Sequence, residues 1–393
     1  MAAPTTIEKT KKKKKVSRNY IPDDLSFSIL SKLPVKSLKR FSCVRKSWSL
    51  LIQNPNFMNF FRNNLLSKSH SSHYNDSGLV LNQFVDSYDW NIYLISGDKF
   101  ENKVKLNLPP LFQIPNGVAP IRVLGSAING VICIYDCHGV HTTTIFWNPA
   151  TEEIIVIPPS HAEFKPEFTT HIFPHGFGYD HVDDDYKIIQ HVDYTTENEN
   201  ALDDLDDVMM PDPFWQIYSL KSNSWRKLDF DMPIIYWIFN SIAYFNGMCH
   251  WLGETNMVVS FQLCNEVYFV TPCPLEEDTH DEAFEVNLTV LNESVAIITN
   301  CKNTTSFQIF VLGEVGVEES WIRLFDVELS SCIEQPIGAG KKGNIFVIKE
   351  DGELACFDLT TGLVKDIGIQ GEKNWCQIEV YKKNLRLLAD INM

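Results

Sequence analysis

The sequence predicts two parts: a small all-α head of three to four helices, then an all-β propeller of six blades closed by strands from both chain ends. Three observations carry this. Apolar residues recur at helical spacing over residues 22–66, and after Gly78 this gives way to short apolar runs separated by turn residues. A strand–turn–strand hairpin recurs, beginning near Asn91, Ile145, Ile217, Val259, Ile309 and Cys356. Its spacing of roughly 45 residues, stretched by one insertion, is the period of four-stranded propeller blades. Finally, "WCQIEVYKK" (375–383) is a strand left without a sequence neighbour to pair with.

Residues 1–20 hold six lysines, Arg18 and Glu8, a balance of +6. The whole chain carries −16, so the body carries −22, which is −16 minus +6. A body this acidic disfavours nucleic-acid phosphates and favours basic partners. The basic tail is expected to be solvated and without regular structure, with the run Lys11–Lys15 as a candidate nuclear address or electrostatic tether. No stretch of about 18 apolar residues occurs, so no membrane partner is expected. The N-terminus lacks the apolar core of a secretory signal. The ten cysteines are therefore expected as free thiols in a reducing compartment, cytoplasmic and/or nuclear. The Asn-X-Ser/Thr matches at Asn75, Asn287, Asn292 and Asn303 are then fortuitous.

The expected organisation is a tail (1–20), a helical head (21–66), a polar linker (67–77) and a propeller (78–386). In the head, Asp23 or Asp24 is expected to cap a helix carrying Leu25, Ile29 and Leu33. Pro34 stops that helix and opens the next, with Val35, Leu38, Phe41 and Val44 at intervals of three. Val44, Trp48, Leu51 and Ile52 continue the period, and Asn54-Pro55 starts a helix bearing Phe57, Phe60, Phe61 and Leu65. A unit of about 45 residues is marginal alone, so part of this apolar surface must face the rest of the chain or another protein.

The stretch "IPDDLSFSILSKLPVKSLKRFSCVRKSWSLLIQNPNF" (21–57) resembles the F-box. The matching residues are Pro22, Leu25, Ile29, Leu30, Leu33, Pro34, Leu38, Val44, Lys46, Trp48, Leu51 and Ile52. Ile21 stands where leucine is usual, and Arg45 where a small residue or cysteine is usual. The resemblance implies that these residues, Lys46 apart, form the face that docks on a Skp-family adaptor and through it joins a cullin–RING ubiquitin ligase.

Each later hairpin is preceded by two more strands. These are "RVLGSAI" and "GVICIYD", "HGFGYD" and "YKIIQHVDY", "SIAYFN" and "MCHWLGE", "VNLTVLN" and "SVAIITNC", and "PIGAGKK" and "NIFVIKED". The first hairpin has only "GLVLNQF" before it, so the C-terminal strand is expected to complete that blade and remove exposed edges. The segments "FWNPATEEIIVIPP", "GFGYDHVDDDYKII", "IYSLKSNSWRKL", "AYFNGMCHWLG" and "VEESWIRLF" resemble the plant F-box-associated interaction domain, S-locus F-box proteins in particular. In that group the domain recognises secreted ribonucleases; many other members have no known target.

No catalytic constellation stands out, and no cofactor or metal is expected. Gly338, Gly340 and Gly343 spell G-x-G-x-x-G, but a strand follows where a dinucleotide site needs a helix. Cys133 and Cys137-His138 are too far apart along a strand for one zinc ion, and Cys249-His250 lacks further ligands. His171, His175, His181 and Asp183–Asp185 suit a strand–turn–strand corner with aspartates capping the turn better than a metal site. Two features are candidates for target contact. One is the acidic insertion at 193–212, with Asp203, Asp204, Asp206 and Asp207; the other is Tyr236 with Trp237.

The expected function is non-enzymatic: substrate recognition within an SCF-type ubiquitin ligase, with a target that is basic if the insertion reads it. The alternatives are an adaptor-binding scaffold without ligase activity, which would not co-purify with a cullin, and a propeller enzyme, which would show turnover or bound metal.

Overall fold

The fold was analysed in a computed structural model, which describes residues 21–67, 77–84, 90–97, 100–114, 117–118, 120–136, 143–160, 162, 168–196, 210–234, 242–253, 256–274, 284–301, 306–328, 333–340, 343–373, 375–385 and 388. The tail, most of the linker, Cys137, His138 and the centre of the acidic insertion lie outside them.

Four helices form the head: α1 (Asp23–Leu30), α2 (Val35–Ser42), α3 (Lys46–Ile52) and α4 (Pro55–Ser67). Pro22 and Pro34 occupy the cap positions of α1 and α2 with ψ near 150°, so prolines set the entry of both helices. The aspartate cap expected for α1 is not made; Asp23 and Asp24 sit in the first turn, where the helix dipole favours their charge. Leu33 lies beyond α1, because the residue before a proline is steered away from helical geometry. Val44 likewise falls in the turn between α2 and α3. Asn54 does cap α4: its Oδ1 accepts the N–H of Asn56 at 2.9 Å.

Six four-stranded antiparallel sheets follow. Blade 1 combines Cys376–Lys382 with Ser77–Phe84, Trp90–Ser96 and Asn102–Lys105. The two ends pair from Ser77↔Lys382 to Gln83↔Cys376, so the ring closes as the unmatched strand required. Blade 2 is Ile121–Val123, Ile132–Asp136, Thr144–Asn148 and Glu153–Val156; blade 3 is Thr169–Asp180, Asp185–Thr195, Phe214–Ser219 and Ser224–Lys227. Blade 4 is Ile242–Phe245, Met248–Gly253, Met257–Gln262 and Val267–Pro272. Blade 5 is Phe284–Val290, Val295–Cys301, Ser306–Val311 and Ile322–Glu328; blade 6 is Ile333–Ala339, Asn344–Lys349, Glu353–Asp358 and Val364–Gln370. The first strands of blades 3, 4, 5, 6 and 1 touch in succession, which places them around the central axis. A short ribbon, Gln113–Ile114 with Gly117–Val118, joins blades 1 and 2 and was not expected; two-residue strands leave no periodic signal.

Antiparallel order fixes the two faces. Turns between first and second strands, and between third and fourth, emerge on one face; the remaining connections emerge on the other. The head sits on the first face. Its buried Leu30, Leu38, Phe57 and Phe61 belong to one apolar cluster with Ile298, Phe307, Ile309, Leu324, Ile345 and Val347 of blades 5 and 6. The helices therefore share their core with the propeller, which buries one part of their apolar surface. At ~1.5–3 kcal/mol for each fully buried side chain, this shared core outweighs the polar contacts around it.

Candidate functional site

Two surfaces merit a functional reading: the outer side of the head and the propeller face opposite it. On the head, the residues matched to the F-box separate into three groups. Leu30 and Leu38 are buried in the shared core. Leu33, Trp48, Leu51 and Ile52 pack half-buried against it. Pro22, Leu25, Ile29, Pro34 and Val44 face solvent, with Leu25 at 55%, Ile29 at 52% and Val44 at 67% exposure. Leu25 and Ile29 stand one turn apart on the same side of α1.

Trp48 links the groups. Its ring packs edge-on against Phe41 at 5.6 Å, and its indole N–H donates to Ser26 Oγ at 3.3 Å. Ile21, Phe41, Leu50 and Phe60 were not expected at the surface, yet all four are exposed. Leu50 could have been found, since it breaks the period beside Leu51. Phe41 and Phe60 sit at core spacing and could not.

Polar contacts hold the head against blade 5. Arg40 donates to both carboxylate oxygens of Glu314, at 2.9 and 2.5 Å, and Lys36 approaches the same group at 3.3 Å. The hydrogen bond from Arg40, with both cations nearby, holds the Glu314 carboxyl below its usual range. Arg62 lies over the Phe325 ring at 5.2 Å. The blade 5 turn also closes on α2: a Cβ on Gly313 would meet Ser320 O at 2.8 Å and Lys36 Cα at 3.5 Å.

On the opposite face, the acidic insertion joins the second and third strands of blade 3, and the Tyr236–Trp237 stretch joins blades 3 and 4. Asp203, Asp204, Asp206, Asp207, Tyr236 and Trp237 themselves lie outside the described residues. The strand ends flanking both segments nevertheless belong to the face away from the head.

The remaining candidates have structural roles. At the blade 3 corner, Asp180 Oδ1 accepts the N–H groups of Val182 (2.9 Å) and Asp183 (3.3 Å), and its Oδ2 accepts from Lys187 Nζ at 2.6 Å. Burial opposes ionisation of both partners, but the pairing prevails and holds Asp180 below and Lys187 above their ordinary values. Asp185 accepts from Ser219 and from the N–H of Lys221. The capping expected of the aspartates thus falls mainly to Asp180 and Asp185. His171 bonds Thr195, His175 bonds the Phe173 carbonyl at a register shift between Pro174 and Gly176, and His181 packs on Tyr179 beyond the end of the strand, so the three rings have separate partners. Among the described residues, no three His, Cys, Asp or Glu side chains converge as a metal site. Cys133 and Cys249 are buried, and burial pushes both thiols up. Gly338, Gly340 and Gly343 run from the inner strand of blade 6 into a turn followed by strand Asn344–Lys349, which leaves no helix for a phosphate.

Comparison with known proteins agrees with this architecture. The family described as F-box domain matches residues 20–60, and the family described as F-box associated beta propeller domain matches residues 83–386. F-box protein CPR1 of Arabidopsis thaliana is 23% identical over 376 residues, spanning 89% of this chain and 84% of the relative. A putative F-box protein of the same plant is 25% identical, spanning 77% and 73%. Among solved structures, TolB from Acinetobacter baumannii superposes at a TM-score of 0.46 with 9% identity, over 78% of this chain and 67% of that one, a likeness too loose to carry an argument. With helices over the first match and six blades over the second, the chain belongs to the plant F-box proteins that carry an F-box associated β-propeller domain.

Proposed function

We propose that this protein is the substrate-recognition subunit of an SCF-type cullin–RING ubiquitin ligase and catalyses no bond chemistry itself. Residues 21–66 bind a Skp-family adaptor, and the propeller of 78–386 binds the target in the cytoplasm or nucleus. The observation that carries this reading is the division of the head's apolar residues. One set is buried in a core shared with blades 5 and 6, while Leu25, Ile29 and Val44 remain exposed beside Trp48. A head fused to the propeller holds whatever the propeller binds at a fixed place relative to the adaptor. That arrangement raises the effective concentration of target at the ligase. The face opposite the head, with its acidic insertion, is the proposed target surface, and a basic protein fits its charge better than nucleic acid does.

Affinity purification of the full chain from plant cells tests this. The expected result is co-purification of both a Skp-family adaptor and a cullin. Adaptor without cullin would favour the scaffold reading, and neither would overturn the proposal.

A further inference from the structure

The inner strands leave a cavity of about 360 Å³ on the head side of the propeller axis. Pro34, Val35 and Leu65 of the head line it, together with inner strands and first turns of five blades. It is a space between two domains, where small-molecule sites tend to occur, and its volume lies within the range of such sites. Its lining is mainly apolar, with Ala127, Phe245, Val290 and Val380 among the walls.

Two polar groups stand out against that lining. Glu379, on the inner strand of blade 1, accepts hydrogen bonds from the side chains of Ser126 and Gln377. Its side chain is half-buried and lines the cavity. Burial pushes its carboxyl up to about 7. Asn292, on the first turn of blade 5, has a buried Nδ2 with no hydrogen-bond partner. A donor left unmade in a buried place is unfavourable, and here it borders a space that can hold an acceptor. The other charged residues of the lining, Glu293 and Lys382, are exposed, so the least exposed charge is the Glu379 carboxyl.

We propose that this cavity binds a small organic amine, with its ammonium on the Glu379 carboxylate, its apolar body along Val35, Leu65 and Phe245, and an acceptor oxygen at Asn292 Nδ2. An ammonium there favours the ionised carboxylate, so the proton displaced from Glu379 passes to the buffer. Because head and propeller both supply walls, the ligand also ties one to the other. This site is separate from the proposed target face, and the proposal stands whether or not the protein joins a ligase.

Isothermal titration calorimetry on the full chain at pH 7 tests it, with tyramine as the probe. Phenethylamine serves as the probe lacking the acceptor oxygen, and 4-hydroxyphenylacetate as the anion of similar shape. The expected result is tyramine binding, weaker phenethylamine binding and no binding of the anion. Tyramine heats should differ between phosphate and Tris buffers, reporting release of roughly half a proton from a group titrating near neutrality. Glu379→Gln should weaken tyramine by about tenfold or more and abolish the buffer dependence. Ala127→Met, which leaves Glu379 in place and fills the cavity, should abolish binding. No tyramine heat at millimolar concentration, equal binding of the anion, or unchanged affinity in either variant would overturn the proposal. If Glu379→Gln does not fold, Ala127→Met alone decides between these outcomes.

Discussion

His250, buried, and Glu379, half-buried at the cavity wall, tilt the pH dependence of stability in opposite directions. His250 is 1% exposed, with Nδ1 against Ser260 Oγ at 2.8 Å, and burial pushes its imidazole down from 6.5 to about 4. Between those values the unfolded chain holds a proton that the folded one does not, so stability falls as pH drops through the window. A shift of this size corresponds to roughly 3 kcal/mol at most. Glu379 is the reverse: burial raises it from 4.5 to about 7, so the folded state keeps a proton that the unfolded state has lost. Its contribution is fully present below about 4.5 and is lost as pH rises through about 7. It should be the smaller of the two, because the cavity beside it admits water. Urea midpoints measured from pH 4 to 8 should therefore show His250→Gln losing less stability on acidification than the parent. Glu379→Gln should lose more. Equal slopes for parent and both variants would contradict these burials. Glu379 was not legible as special in the sequence, and His250 stood out only as half of a Cys-His pair without further ligands. Strand alternation marks a position as inward, but not whether the inward space is packed or empty.

At the scale of the element, the four helices show what periodicity can and cannot reveal. The spacing of Leu25, Ile29, Leu30, Leu38 and Trp48 is enough to predict helices. It does not distinguish Leu30 and Leu38, buried against blades 5 and 6, from Leu25 and Ile29, exposed on the other side. That division depends on where a distant sheet packs. The resemblance of residues 21–57 to the F-box supplied the outward-facing candidates that spacing alone could not rank. It also named Leu33 and Trp48, which the structure places half-buried against the shared core. Substituting those two would mix loss of binding with loss of head packing. The cleaner variant is Leu25→Ser with Ile29→Ser and Val44→Ser. Its melting temperature should stay close to the parent's, since exposed positions rarely move stability by more than about 0.5 kcal/mol each. Its adaptor pull-down should fall about a hundredfold or more, given ~1 kcal/mol or more for each of the three truncated residues. Leu38→Ala, by contrast, should lower the melting temperature through a loss of about 2–5 kcal/mol, whether or not adaptor is present. Full adaptor binding by the triple serine variant would remove the outer face of the head as the docking surface.

For the whole molecule, closure was legible because a count of strands left the first blade one short and one strand over at the C-terminal end, and the pairing of Ser77–Phe84 with Cys376–Lys382 satisfies both. The segment after the closing strand adds a second tie that no count could reveal. Asn148 Nδ2 donates to Asn384 O at 3.0 Å, the N–H of Leu388 donates to Glu153 at 2.5 Å, and Leu388 is buried in the cluster shared by blades 2, 3 and 4. Ending the chain at Lys373 should therefore open blade 1, free an edge strand and give insoluble protein. A soluble truncation with the parent's melting temperature would refute closure as a source of stability. The propeller also separates charge from anchorage. The head contributes its cations, Lys36 and Arg40, to Glu314 on one face, while the insertion carrying Asp203, Asp204, Asp206 and Asp207 leaves from the other. A basic target approaching that face would feel a field from a body of net −22, the −16 of the chain less the +6 of residues 1–20. Screening limits that reach to roughly 8 Å at physiological salt, so the effect belongs to encounter rather than to the bound complex. Replacing the four aspartates with asparagine should then slow association with the target recovered by affinity purification, and leave dissociation nearly unchanged. The difference from the parent should shrink as salt rises. Stopped-flow binding across a salt series measures this. An on-rate at low salt equal to the parent's would show the insertion to be a solvated loop and leave recognition to the other connections on that face.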